Sequence, residues 1–363
     1  METISSKTLS SLIPNLKSVL DYHSYIVKTA LRKISILLPE ITLVEYGGGL
    51  GFQSLVAKQL GVGTVVYIDI DPKMVELAEE IAEEAGLKAD HYICGDQDGL
   101  VEAGIKADII TSNDVLEHIY NIEYFLEGLS LICNKGATLI LNSGANMFWY
   151  PYAKHSAILQ KQAEYEGVPE YNSGPFLQER ESMIRGWYTE FGKTGDIEAL
   201  GAWTRGLAGT DIKEAVGKYL RSGELPSMID HPTNTCNPYT GNWAEASMNP
   251  FCLAEILRSV GFEAEIRPVP FEKVDGRVNN LVRRSLNGLM RFAGNYYGLC
   301  FSCRYSIQAR YTGLIHTKHL SETLYKHTLS PVYYLVAIPY ELVSLIYPRR
   351  SYYSSQFGSK DKR

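Results

Sequence analysis

Cysteine is scarce in this chain. Six residues in 363 are too few and too dispersed for the disulfide framework of a small secreted domain. The amino terminus, METISSKTLSSLIPNLKSVL, has no charged start, long apolar block or small-residue cleavage site, so it does not read as a signal peptide. No internal repeat and no low-complexity tract is found, which argues against solenoids and flexible linkers. The apolar stretch Pro331–Pro348 is interrupted by Pro339 and Glu341 and is short for a spanning helix, which needs ~20 mostly apolar residues. Cys300 and Cys303 form a C-x-x-C with no second such pair, a pattern of structural thiols more than of a zinc half-site. A chain of this length with ordinary apolar content can bury a full core and carry a second module, and a reducing cytoplasm is its simplest setting.

Glycine stands where it tells most. Val44 to Phe52 read VEYGGGLGF, an apolar strand ending in an acid and an alternating Gly47, Gly49, Gly51 turn; a second strand, Val65 to Asp69, ends in the acid of IDIDP. Such a pair marks a nucleoside-binding α/β domain with its ligand across the carboxyl ends of the strands. A dinucleotide fingerprint needs G-x-G-x-x-G, and Phe52 occupies its third glycine position, so an NAD-type pyrophosphate site is disfavoured. Glycines allow a sharp turn and close approach of a ligand to the backbone, which suits the methionine part of S-adenosylmethionine. Asp69 stands where an acid would accept hydrogen bonds from both ribose hydroxyls. A glycine-rich turn alone also fits an ordinary strand-to-helix connection.

Further segments follow in order: YIDIDPKMVELAEEIAEEAG (Tyr67–Gly86), ICGDQDGL (Ile93–Leu100), ADIITSNDVLEHI (Ala107–Ile119) and GATLILNSGAN (Gly136–Asn146). On these the chain resembles the class I S-adenosylmethionine-dependent methyltransferases, nearest to the branch of the ubiquinone-biosynthesis O-methyltransferases with its VLEH segment. The resemblance covers roughly residues 40–147 and resumes at 245–311. It implies an α/β, Rossmann-like sheet of seven strands with helices on both faces, and S-adenosylmethionine as cofactor. The cofactor-binding residues it implies are Glu45, Gly47, Gly49, Gly51, Asp69, Ile70, Asp96, Gln97 and Asn113, with Asp96 near the adenine amino group.

Pattern changes divide the chain. Apolar positions at helical spacing between residues 10 and 38 predict one or two amino-terminal helices, packed on the sheet edge or over the cofactor, and a segment 1–38 is assigned to them. The core takes 39–147 and 245–312. Between them, 148–244 turns polar, glycine-containing and aromatic and carries all four tryptophans; related methyltransferases place substrate-covering insertions here. A carboxyl-terminal extension, 313–363, completes the chain. Net charge is −6, yet residues 267–363 hold 15 basic against 5 acidic side chains. With Arg349, Arg350, Tyr333, Tyr334 and Tyr352 around the apolar stretch, this end suits peripheral contact with an anionic membrane, or else packs on the core as a terminal helix.

The chemistry beyond cofactor binding centres on Asp114-x-x-Glu117-His118. Spacing i, i+3 puts Asp114 and Glu117 on one face of a turn. Some VLEH relatives and the small-RNA terminal methyltransferases carry Glu-x-x-Glu-His there as ligands for a divalent ion. The shorter Asp114 departs from that pattern, so Asp114, Glu117 and His118 are a metal alternative that is not favoured over a bracing role. In-line transfer from a sulfonium asks mainly for alignment and exclusion of water. A base matters only for a poorly acidic hydroxyl or a protonated amine; His118, assisted by Glu117, is preferred to His155 and His231 because it lies at the cofactor edge. The expected acceptor is a hydroxyl or amine of a small molecule, glycan or lipid-linked compound, bounded by Trp149, Tyr150, Tyr152, Trp187, Tyr188 and Trp203, unless these form only the core of a helical cap. An RNA or protein acceptor is the rival enzymatic reading, although negative net charge and the lack of an RNA-binding module weigh against nucleic acid. A scaffold that binds the cofactor without catalysis is the third.

Overall fold

The structure, a computed structural model, describes residues 7–13, 15–168, 174–191, 196–224, 235–271 and 277–314. Helices α1 (Lys7–Leu12) and α2 (Leu16–Leu31) precede β1 (Thr42–Tyr46). Then α3 (Phe52–Leu60), β2 (Thr64–Asp69), α4 (Pro72–Ala85), β3 (His91–Cys94), α5 (Gln97–Glu102), β4 (Ala107–Asn113), α6 (Ile122–Ile132) and β5 (Cys133–Ser143) alternate. The helices α7 (Tyr150–Tyr165), α8 (Phe176–Phe191), α9 (Ile197–Trp203) and α10 (Gly209–Ser222) follow. Last come α11 (Pro250–Ser259), β6 (Phe262–Pro268), α12 (Arg277–Tyr297) and β7 (Tyr305–Tyr311).

Capping chemistry sets several of these starts. Asp71 accepts a hydrogen bond from the Lys73 amide before α4, Asn121 from Tyr124 before α6, and Asn249 from Phe251 before α11, each satisfying an amide that the first helical turn leaves without a partner. Pro72 and Pro250 occupy first helical positions, where their missing N–H costs nothing.

The seven strands form one sheet in the order β3-β2-β1-β4-β5-β7-β6, the architecture that the sequence implies. Strands β1 to β5 run parallel, and β7 is antiparallel to both β5 and β6. Leu43, Val44, Val65, Val66, Ile109, Ile110, Leu139 and Leu141 are all buried, as near-continuous apolar runs must be when helices cover both faces of a parallel sheet. Val44 pairs with Val66 on one side and Ile110 on the other. At β1 the strand order therefore reverses, and such a switch point opens a crevice at the carboxyl ends of the strands.

Two elements add to what the sequence reading placed. Leu20, Ile26, Val27 and Ala30 of α2 belong to the same buried cluster as Leu43, Ile109 and Ile140. The helix thus lies on the sheet face and contributes to the core, instead of bordering the edge. In the segment joining β6 to β7, the sequence reading placed no element, yet α12 fills it, with a break at Gly294.

The described residues group into two compact units. One takes those up to Leu116, Asn121–Gly144 and those from Asn249 on, and contains the whole sheet; the other takes Glu117–Tyr120 and Ala145–Met248. Within the second unit, Ile184, Tyr188, Leu200, Ile212 and Val216 pack together with Trp187 against them, so two of the candidate acceptor-binding aromatics serve a helical core. Trp149 is buried as well. The Arg180 guanidinium, fully buried, donates to Glu164 and to the Gly201 carbonyl, and the Thr235 hydroxyl donates to Glu164. Among the described residues no helix is long and apolar enough to cross a membrane. Pro331–Pro348, Tyr352 and the rest of the expected membrane contact lie outside the described residues.

Candidate active site

The turn after β1 is built by contacts that only small residues permit. Gly47 and Gly49 adopt left-handed backbone (φ 64 and 50), a region closed to most side chains. A Cβ on Gly47 would lie 2.4 Å from the Val115 side chain, and one on Gly48 2.3 Å from the Tyr67 ring; around Gly49 nothing lies within 4 Å. Two glycines are thus required by packing against the protein, while the third presents open backbone on the crevice side.

Asp69 ties this turn to β2. Its carboxylate accepts hydrogen bonds from Gly49 N (2.9 Å) and Asp71 N (3.0 Å), and burial holds its pKa above the usual carboxylate range. Each oxygen keeps a lone pair for a further donor. Beside it Ile70 is 74 % exposed, an apolar side chain projecting at the carboxyl edge. The Tyr67 hydroxyl donates to the Gly49 carbonyl at 2.7 Å and fixes the turn from below.

Glu45 serves the loop from inside. Buried, its carboxylate accepts from Gln53 N (2.9 Å) and Ser54 N (2.7 Å), the first turn of α3, and burial pushes its pKa up to about 7. Past β3, Asp96 caps α5 by accepting from Asp98 N at 3.0 Å. Gln97 is buried and accepts from the Tyr46 hydroxyl at 3.3 Å. Glu45, the Gly47–Gly51 turn, Asp69, Ile70, Asp96 and Gln97 all stand at or just beyond the carboxyl ends of β1, β2 and β3 in the first unit.

At the end of β4, Asn113 accepts from the Tyr22 hydroxyl at 2.8 Å and donates to Asp114 at 3.1 Å. Asp114 is left-handed without being glycine (φ 56), and both its oxygens take the Arg304 guanidinium at 2.6 Å, with Gly144 N donating at 2.9 Å. Arg304 also stacks over the Tyr22 ring at 5.4 Å. Next to Tyr22, the ring of half-buried His23 is shielded from water, and its pKa falls to about 3, chiefly through desolvation, so it stays neutral. Sequence reasoning missed Tyr22 and Arg304. Tyr22 carries no sequence signal beyond helical spacing, and Arg304 is visible only as a cation at the start of the last strand.

Glu117 and His118 follow in a short 3-10 turn, Leu116–His118, and belong to the second unit. Glu117 is buried and its carbonyl accepts from Ala246 N at 3.2 Å. His118 Nδ1 lies 3.0 Å from the Trp243 carbonyl and Nε2 3.8 Å from Glu245. Glu245 is itself left-handed (φ 58) and accepts from the Tyr152 hydroxyl at 3.1 Å. The Asp114-x-x-Glu117-His118 motif is therefore engaged with Arg304 at its first position and with Trp243 and Glu245 at its last. Among the described residues no group of three His, Cys, Asp or Glu is placed to hold a metal ion. His155 is exposed on α7, and His231 lies outside the described residues. None of the six cysteines is joined in a disulfide.

The family model for a methyltransferase domain matches residues 38–198. The chain is 26 % identical over 106 residues to the ubiquinone biosynthesis O-methyltransferase of Azorhizobium caulinodans, covering 29 % of this chain and 41 % of that protein. It is 30 % identical over 90 residues to the ribosomal protein L11 methyltransferase of Tolumonas auensis, covering 24 % and 30 %. Among solved structures, a putative sarcosine dimethylglycine methyltransferase from Galdieria sulphuraria aligns over 82 % of this chain and 88 % of its own, with a TM-score of 0.40 at 10 % identity. The chain spans less than half the length of these two curated relatives.

Proposed function

We propose, from a chain that carries a methyltransferase domain on a class I α/β sheet, that it binds S-adenosylmethionine at the β1–β2 carboxyl ends and methylates a hydroxyl or amine of a small-molecule, glycan or lipid-linked acceptor. The observation that carries this reading is the clamp between Asp69 and Gly49 N, which aligns a carboxylate with the open glycine backbone. Asp69 would receive the ribose hydroxyls, Ile70 would lie along the adenine, and Asp96 and Gln97 would meet its polar edge. Gly49 would face the methionine part, where a side chain would fill the space. Bound there, the cofactor supplies an activated methyl group, so the protein's work is to position an acceptor and exclude water.

Asp114, held by Arg304, fixes the end of β4, and Asn113 with Tyr22 closes it. His118 is the base of choice where the acceptor is a poorly acidic hydroxyl: with Nδ1–H donating to the Trp243 carbonyl, Nε2 is left to take a proton, and Glu245 stabilises the imidazolium that results. The ion pair that occupies Asp114 leaves this transfer independent of a divalent ion.

A protein acceptor is the second reading, favoured by the similarity to a ribosomal protein L11 methyltransferase. Incubation of the full chain with methyl-labelled S-adenosylmethionine and cell extract separates the two. Label in the small-molecule, glycan or lipid fraction supports the first reading. Label in protein overturns it in favour of the second, and no transfer by a chain that binds the cofactor supports a scaffold.

A further inference from the structure

Between α2, α12 and the sheet face of β5 and β7 lies a cavity of about 470 Å³, in the range of small-molecule sites. It is separate from the crevice over the glycine turn: neither Gly47, Gly49, Asp69 nor Asp96 lines it. Its walls are apolar, with Ile26, Ile140, Val269 and Met290. Its floor is not. Asn142 pairs with Ser306 and Ile140 with Gln308 across β5 and β7, which sets these side chains on one face of the sheet. Asn142, Ser306 and Gln308 are only 2, 4 and 6 % exposed, and Asn142 Oδ1 and Gln308 Oε1 have no hydrogen-bond partner. An acceptor buried without a donor costs ~1–3 kcal/mol, and two of them face one cavity roomy enough for far more than a single water.

The rim is cationic. Arg32, Lys33, Arg267 and Arg291 line it, and no acid does among the described residues. Glu265 pairs with Lys33 (3.2 Å) and Arg267 (2.9 Å); Arg32 and Arg291 form no such pair among the described residues. Two unmatched guanidiniums suit a phosphate, which carries more than one negative charge near neutral pH and accepts from both forks, whereas one carboxylate would match only one. The unpaired amide oxygens call for hydroxyl donors at the inner end of the same molecule.

We propose that this cavity binds a hydroxylated organic phosphate. That chemistry has two sources, a soluble polyol phosphate and a phosphoglycerol lipid headgroup. The second draws support from α12, which contains four arginines and no acid and exposes Leu281, Leu289 and Phe292, the last 93 % exposed, the composition of a helix lying in a membrane interface. The site is formed by the chain alone, so its test does not depend on methyl transfer.

Calorimetry of the full chain with glycerol 3-phosphate, with glycerol as uncharged control, and co-sedimentation with phosphatidylglycerol vesicles against phosphatidylcholine vesicles test it. Binding in the first arm assigns a soluble ligand, binding in the second a headgroup, and either supports the inference. Binding should weaken at least tenfold in the double variant Arg32→Gln, Arg291→Gln and in Gln308→Leu, with affinity for S-adenosylmethionine unchanged. The arginine substitutions are at exposed positions and keep the test available if Gln308→Leu does not fold. Failure of both probes to bind the folded chain, or wild-type binding by the double variant, overturns the proposal. So does a loss in the arginine variant with none in a folded Gln308→Leu, which would be a surface charge effect.

Discussion

Gly47 and Gly49 share a backbone region but not a reason for being glycine, and this separates two measurements. Gly47→Ala meets Val115 at 2.4 Å on a left-handed backbone; strain and overpacking together should cost ~2–4 kcal/mol, read as a lower urea midpoint. Gly49→Ala meets nothing, so its stability loss stays near the ~1–2 kcal/mol of left-handed strain, while the new methyl intrudes on the crevice. Cofactor affinity should drop tenfold or more there; unchanged affinity in folded Gly49→Ala would place the ligand elsewhere. Asp69→Ala removes the proposed ribose acceptor and the Gly49 clamp at once and should weaken binding by roughly 1.5–3 kcal/mol, the scale of hydrogen bonds to a charged group. Calorimetry with Asp69→Asn, which keeps one acceptor, should give an intermediate value.

Two elements carry charge in their interior, with opposite consequences. At the start of α3, Glu45 has its pKa raised to about 7 by burial. The unfolded chain releases this proton near 4.5 and the folded chain near 7, so the folded state binds more protons between these values. The contribution is fully present below pH 4.5 and declines as pH rises through 7, by roughly 3 kcal/mol in all. Glu45→Gln should flatten the slope of stability against pH between 5 and 7.5; a slope identical to wild type would show that Glu45 ionises normally. Between α7 and α8 the buried Glu164–Arg180 pair behaves otherwise. Removing one partner leaves an uncompensated buried charge, and Arg180→Leu should destabilise the second unit by ~3–5 kcal/mol, visible as an early transition in thermal unfolding followed by circular dichroism.

For the whole molecule, the decisive arrangement is the seven-stranded sheet of the first unit, whose order reverses at β1. Asp114 is bound by Arg304 from the start of β7, 190 residues away in sequence, and this pairing decides the expected metal response. Once an acceptor is known, transfer should persist undiminished in EDTA. Activity lost on chelation and restored by Mg²⁺ would show that Asp114 leaves Arg304 to take a metal.

Local sequence determined what depends on neighbouring residues. Acid-x-Gly-x-Gly-x-Gly after one apolar strand, and an acid ending the next, located the turn and Asp69, because left-handed backbone and strand ends are specified within a few residues. The apolar runs of β1, β2, β4 and β5 were legible for the same reason. α12 was legible in principle, with Leu281, Val282, Leu286, Leu289 and Met290 at helical spacing, but its arginines drew attention as charge and not as one face of a helix. What folding alone decided is which distant groups meet. Glu45 turned inward to brace α3, Tyr22 reached Asn113, Arg304 took Asp114, and Asn142 and Gln308 came to line one cavity with their oxygens unpaired. Those outcomes depend on strand register and on α2 lying across the sheet face, which are set by burial summed over the whole core and leave no local mark in the chain.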